Sequence, residues 1–240
     1  MKLNAVMWNA VFNEHSELSP HFGQSENHLW QTARKFRFTS SNSHDVVTRK
    51  KENLDKFLLK FTQTDKYIDT PALRLGRKHE PIARKKYVVY KKLKHNEKVN
   101  VLECGIFLCK KFGYLGASPN GIVTKKSEAC QPWVLEIKCP FKWRFKTVRR
   151  TCRDRDFCCE INSENEIQLR KSHHYYSQIQ GQMSICQCLR CDFVIYLLKD
   201  FSILKVDLDQ EYWEATELKL SNFYNEYMIP FIIKSANHDQ

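Results

Sequence analysis

Glu136 and Lys138 are the first residues in this 240-residue chain whose types and spacing could do chemistry. They lie in the run Trp133-Val134-Leu135-Glu136-Ile137-Lys138-Cys139-Pro140. If that run is a strand, side chains alternate, so Glu136 and Lys138 share one face while Leu135 and Ile137 share the other. Taken alone, a carboxylate and an ammonium two residues apart fit an ordinary surface ion pair better than a reaction centre. Two other segments shift that balance. Residues 113–123 read as a hairpin with Ser118-Pro119-Asn120-Gly121 at its turn, so a polar residue there could point at the spot where Glu136 points. Glu80, on an earlier helix in Gly76-Arg77-Lys78-His79-Glu80-Pro81, could add a second carboxylate. Such a convergence of oxygens suits Mg²⁺, which takes one or two carboxylates and keeps several waters for a phosphate substrate. A neighbouring Lys can hold or activate the attacking water and offset charge in the transition state.

The elements that must position these residues are legible in outline. Residues 28–38 and 45–61 carry apolar side chains at three- and four-residue spacing, the pattern of helices packed on a core. Thr70-Pro71 is a helix start, and the helix it opens runs to about residue 94 with a break or kink at Pro81. Residues 101–109, 114–117, 121–124 and 133–139 read as strands between turn signals. A polar stretch over 149–166 reads as loop, 173–187 as a helix, and 193–198 with 203–208 as a hairpin around Lys199-Asp200. A closing helix is expected from 210 to 233. This order predicts an α/β chain with a central mixed sheet flanked by helices. With no repeat or linker, 1–240 is expected to be a single domain, with 1–25 as a peripheral N-terminal extension.

The formal charge of +12 favours a polyanionic partner, nucleic acid before an anionic membrane, although a solvated basic surface is the plain alternative. No apolar run is long enough to span a bilayer, and the first twenty residues do not read as a signal peptide. The expected setting is therefore inside the cell, in nucleus or cytoplasm, with the ten cysteines reduced. Cys186-x-Cys188-x-x-Cys191, with Cys152, Cys158 and Cys159 upstream, admits zinc or an iron–sulfur cluster, but buried thiols fit the spacing better. His173 and His174 are expected to be exposed or capping. Lys142, Arg144, Lys146, Arg149, Arg150, Arg153 and Arg155, interleaved with Trp143 and Phe145, could track a phosphate backbone.

Five motifs in order resemble the lambda exonuclease and YqaJ-type viral recombinase family of the PD-(D/E)XK nuclease superfamily. They are Trp30-x-x-x-Arg34 with Thr39-Ser40-Ser41, Gly76 to Glu80, Gly116-Ala117-Ser118-Pro119-Asn120-Gly121, Leu135 to Pro140, and Tyr175-x-x-Gln178-x-Gln180 with Met183. The resemblance spans nearly the whole chain. It implies a restriction-endonuclease-like core and a Mg²⁺-dependent exonuclease, Mn²⁺ being an alternative ion, acting on double-stranded DNA ends in recombination. It implies a metal held by Glu80, Asn120, Glu136 and the Ile137 carbonyl, a water positioned by Lys138, and Tyr175 and Gln178 bracing the site. Arg34, Ser41 and Ser118 match positions that hold a 5′-phosphate. The resemblance also admits a single-strand annealing protein as partner and a homo-oligomer.

One position departs from the pattern. Asn120 stands where the family has a metal-binding Asp, so the site keeps two carboxylates in place of three acidic groups. Removing a negative charge a few ångströms from a divalent ion costs several kcal/mol in a partly desolvated site. An active nuclease that tolerates Asn, a pseudo-nuclease that grips DNA ends, and conversion of Asn120-Gly121 to Asp by deamidation are the three readings of this residue.

Overall fold

The computed structural model describes residues 24, 27–50, 53–62, 69–125 and 130–238. Nearly all of the expected N-terminal extension lies outside them.

Four short elements open the described chain: helix α1 (His28–Arg34), strand β1 (Phe38–Thr39), and helices α2 (Ser43–Val47) and α3 (Leu54–Leu59). Then comes α4 (Pro71–His95), the longest helix among the described residues. Thr70 caps it by accepting from the Leu73 N–H at 3.2 Å, and Asn96 ends it in the left-handed conformation. A run of short strands follows: β2 (Val99–Leu102), β3 (Phe107–Leu108), β4 (Leu115–Ala117), β5 (Gly121–Lys125) and β6 (Trp133–Lys138). A helical turn α5 (Val148–Thr151) and a small hairpin, β7 (Cys159–Ile161) with β8 (Ile167–Leu169), lead to helix α6 (His174–Ile185). The chain closes with β9 (Arg190–Leu197), β10 (Asp200–Asp207), α7 (Gln210–Phe223) and α8 (Ile229–His238).

The central sheet has the order β10-β9-β6-β5-β2, with β6 and β9 parallel and the other neighbours antiparallel. Both faces are covered. Trp133, Leu135 and Ile137 of β6 pack with Val194 against Ala83 and Tyr87 of α4. Val134 of β6 packs with Phe193 and Ile195 against Ile179 and Met183 of α6. Glu136 and Lys138 share the parity of Val134, so they emerge on the α6 side. Asp192, fully buried on β9, ties α4 to the sheet: it takes the Tyr87 hydroxyl at 2.6 Å, the Trp133 Nε1 at 3.0 Å and the Lys91 ammonium at 2.8 Å. A second sheet, β1-β4-β3, pairs β1 and β4 in parallel.

Several boundaries differ from expectation. The helix at 28–38 stops at Arg34, and the residues beyond it form β1, whose Phe38 and Thr39 pair with Leu115 and Gly116. The helix expected over 45–61 is two short helices. Pro81 does not break α4, because the buried stripe of Ala83, Tyr87 and Lys91 holds the helix on the sheet past the one backbone bond that Pro cannot make. The strand expected at 101–109 is two short strands, and the loop at 149–166 contains α5 and β7. The closing helix is interrupted by a π turn over Tyr224–Met228 and continues to His238.

Candidate active site

Alternation along β6 does what the sequence predicts: Glu136 and Lys138 lie side by side, with Lys138 Nζ 2.7 Å from Glu136 Oε1. The partners that fix them come from α6. Gln178 Nε2 donates to Glu136 Oε1 at 2.7 Å, and Lys138 Nζ donates to Gln178 Oε1 at 3.1 Å, which closes a three-residue ring. One turn further on, Gln182 Nε2 donates to Glu136 Oε2 at 2.9 Å. Glu136 is 3% exposed, so without these donors its charge would be strongly disfavoured. The Lys138 ammonium also sits 4.6 Å from the centre of the Tyr175 ring. Burial works against the Lys138 charge, but Glu136, Tyr175 and Glu80 outweigh it and raise the pKa.

Glu80 approaches from α4. Its Oε1 accepts from Arg84 Nη2 at 2.9 Å, one helical turn on, and Arg84 also reaches the exposed Glu103. Burial raises the Glu80 pKa against the pull of the Arg84 charge, and the nearby Glu136 charge raises it further. Asn120 lies just before β5, beside Glu80 of α4 and the β6 strand that carries Glu136. Its Oδ1 accepts from the Ile137 N–H at 2.7 Å. A backbone N–H can only donate, so this bond fixes which end of the amide is which. The Asn120 side chain works against that rise in the Glu80 pKa. One lone pair of the Asn120 oxygen is thus taken by the β6 backbone, and one is left.

Among the described residues, no three His, Cys, Asp or Glu side chains converge to hold a metal. What does converge is two carboxylates, each beside a protonated base. This donor set fits a hard divalent ion that keeps most of its ligands as water and substrate oxygen, and it does not fit a fully protein-coordinated ion.

A second group assembles at one end of the small sheet. Parallel pairing of Thr39 with Gly116 brings Ser41 and Ser118, each two residues further on, to the same end of the strands. Trp30 Nε1 donates to Ser118 Oγ at 2.8 Å, and the Arg34 guanidinium lies 4.3 Å above the Trp30 ring. Thr39 Oγ1 and Ser41 Oγ are 2.9 Å apart. A pocket of about 170 Å³ beside them is lined by Trp30, Arg34, Lys35, Arg37 and Lys60 among others. Trp30 thus joins Arg34 to Ser118, while Ser41 reaches the same end of the sheet through Thr39, which lines the pocket.

Other expectations fare differently. His173 caps α6 by accepting from the Tyr175 N–H at 3.1 Å, and His174 is exposed. Cys104, Cys186, Cys188 and Cys191 are all buried close together, where burial pushes the Cys188 thiol up to about 12, and among the described residues they form no group that could hold a metal. Lys142 pairs with Asp156 at 2.7 Å and Asp154 at 3.4 Å on the surface. Gln180, the other glutamine of the Tyr175 motif, serves the fold by donating to the Asp207 carbonyl and accepting from the Asp209 N–H. Arg84 and Gln182 were missed. Both stand four residues from a singled-out residue, Glu80 and Gln178, and helical spacing alone would have found them.

A mixed sheet with a helix on each face, carrying a Glu-x-Lys strand beside a helix-borne glutamate, is the core of a PD-(D/E)XK nuclease fold. Within that class the chain belongs to the YqaJ-like viral recombinase domain family, whose model matches residues 29–188. The chain is 27% identical over 208 residues to the alkaline nuclease of Orgyia pseudotsugata multicapsid polyhedrosis virus, covering 79% of this chain and 45% of that protein. It therefore spans less than half the length of this relative. The fold is similar to an alkaline exonuclease from Laribacter hongkongensis, with a TM-score of 0.62, 22% identity and coverage of 89% of this chain and 98% of that one. It is also similar to the protein of a SOX–DNA complex, with a TM-score of 0.59, 13% identity and coverage of 96% and 74%.

Proposed function

We propose that this chain is a metal-dependent exonuclease domain that hydrolyses phosphodiester bonds at duplex DNA ends in recombination. The single observation that carries this reading is the ring of Glu136, Lys138 and Gln178, because it fixes a cation beside a buried carboxylate on the strand that faces Glu80. Glu80, Glu136 and the Ile137 carbonyl would hold Mg²⁺ or Mn²⁺. Such an ion supplies Lewis-acid polarisation of a phosphate and offsets its developing charge. Lys138 holds the attacking water by donating from Nζ. Tyr175 and Gln178 keep that ammonium in place, and Gln182 keeps Glu136 from rotating. Arg34, Ser41 and Ser118 grip the 5′-phosphate of the strand end, where a planar guanidinium can engage two oxygens at once.

A second reading is favoured by the uncharged Asn120 amide: the same fold binds DNA ends and cleaves slowly or not at all. One experiment separates the two. Linear duplex DNA with a 5′-phosphate is incubated in Mg²⁺ and in Mn²⁺ at mildly alkaline pH with the natural protein, Asn120→Asp and Lys138→Ala. Digestion by the natural protein but not by Lys138→Ala supports the nuclease. Digestion by Asn120→Asp alone supports the end-binding reading. If all three are inert yet bind DNA ends, the roles given to Glu80, Glu136 and Lys138 are wrong.

A further inference from the structure

We infer that Asn120 makes metal binding conditional on DNA: the carboxylate pair takes up a divalent ion only when a substrate phosphate joins the ion's shell. This rests on the nuclease reading and states how that site is regulated. The argument starts from what the two carboxylates already hold. Glu136 Oε1 receives both Lys138 Nζ and Gln178 Nε2 at 2.7 Å, which uses both of its lone pairs, and Oε2 receives Gln182 Nε2 at 2.9 Å. Glu80 receives Arg84 at 2.9 Å. Each carboxylate is thus balanced by a cation of this chain, and Glu136 by two glutamine amides as well.

An aspartate at 120 could accept the Ile137 N–H with one oxygen and offer the other, with its charge, to a cation. Asn120 accepts the same N–H, and what it has left to offer a cation is one lone pair of an uncharged oxygen. A free divalent ion would therefore meet two already-neutralised carboxylates and a neutral amide. A phosphodiester changes this balance, because it brings a negative charge and an anionic oxygen ligand. Those are the two things that replacing Asp by Asn removes. The ammonium of Lys138 and the guanidinium of Arg84 can turn towards the same phosphate and release carboxylate lone pairs for the ion. Ion and DNA then bind with positive coupling, and each tightens the other by the same factor.

The test uses the full chain, Mn²⁺ as the probe and its free electron paramagnetic resonance signal as the readout. Titrations are run with the protein alone, with an end-blocked duplex carrying phosphorothioate linkages, and with a duplex whose terminal linkages are uncharged methylphosphonates, each corrected for duplex alone. The expected result is at least about a tenfold gain in Mn²⁺ affinity with the phosphorothioate duplex, an ordinary size for coupling between sites, and none with the methylphosphonate duplex. Asn120→Asp, which keeps the acceptor for the Ile137 N–H, is expected to bind Mn²⁺ without DNA and to gain less from it. Reciprocity gives a second readout: Mn²⁺ should raise duplex affinity, measured by fluorescence anisotropy against chelator, by the factor seen in the metal titration. The inference is overturned if the natural protein alone binds Mn²⁺ as tightly as Asn120→Asp, or if the phosphorothioate duplex leaves Mn²⁺ affinity unchanged. Coupled binding without digestion of a cleavable duplex keeps the inference and removes the nuclease reading. Digestion with uncoupled metal binding does the reverse.

Discussion

Gln182 donates from Nε2 to Oε2 of Glu136 at 2.9 Å, across the interface between helix α6 and strand β6. Both residues are buried, so the bond fixes a charged side chain that has no access to bulk water on that side. Gln182→Leu removes the donor and leaves Glu136 Oε2 unsatisfied. A loss of about 1–3 kcal/mol is expected, the usual range for orphaning a buried polar group. Chemical denaturation measures that loss. A drop in DNA turnover larger than the drop in DNA affinity would show that Glu136 has also lost its orientation.

Trp30 links Ser118 to Arg34, one through its Nε1 and the other through its ring face. Trp30→Phe keeps an aromatic platform and deletes only the hydrogen bond. The expected outcome is a smaller preference for 5′-phosphorylated over 5′-hydroxyl ends, with a stability change near 1 kcal/mol. Competition binding between the two kinds of duplex end reads this directly. Equal preference in variant and natural protein would separate Ser118 from the phosphate.

Position 181 sets two effects against each other. Ala is better than Gly inside a helix by about 1 kcal/mol. Yet a Cβ at Gly181 would lie 2.8 and 2.9 Å from the Trp213 ring and 3.0 Å from the Ser40 Cβ. Trp213 is 2% exposed and cannot swing away. Overpacking of this kind costs about 1–3 kcal/mol, so Gly181→Ala is expected to be destabilising in spite of its helix propensity. A raised melting temperature would contradict the packing of α7 on α6.

Asp192 and Lys91 form a buried pair at 2.8 Å, far from water and outside the candidate site. Asp192→Asn leaves the buried ammonium with only Glu97 at 3.4 Å, and about 3–5 kcal/mol should be lost. The double change Asp192→Asn with Lys91→Met removes both charges and is expected to recover most of that loss. A double-mutant cycle in denaturant provides the measurement, and simple additivity of the two single changes would sink the prediction.

Stability should also depend on His173. Burial, and then the neighbouring His174 and His44, lower its pKa to about 4. The folded state therefore disfavours its protonated form relative to the unfolded chain, where the pKa is near 6.5. Between those values the unfolded state binds more protons, so stability is fully present above about pH 6.5 and is lost as pH falls towards about 4. His173→Asn keeps a capping acceptor and should flatten the acid limb of the denaturation midpoint plotted against pH.

The sequence by itself determined the local pieces. Alternation on β6 placed Glu136 beside Lys138, Thr70-Pro71 opened α4, and spacing put Tyr175 and Gln178 on one face of α6. These follow from covalent geometry and helix or strand periodicity, which act over a few residues. The ordered motifs likewise marked Glu80, Asn120, Arg34, Ser41 and Ser118 before any fold was known. Only the tertiary structure decided how those residues meet. Periodicity could not show that residues 38–39 leave the first helix to pair with β4, because that register is set by a partner 77 positions away, from Phe38 to Leu115. Nor could residue type say which group the Asn120 oxygen meets. That was settled by the Ile137 N–H on another strand, since a buried backbone donor must be met and Asn120 Oδ1 is the acceptor that reaches it.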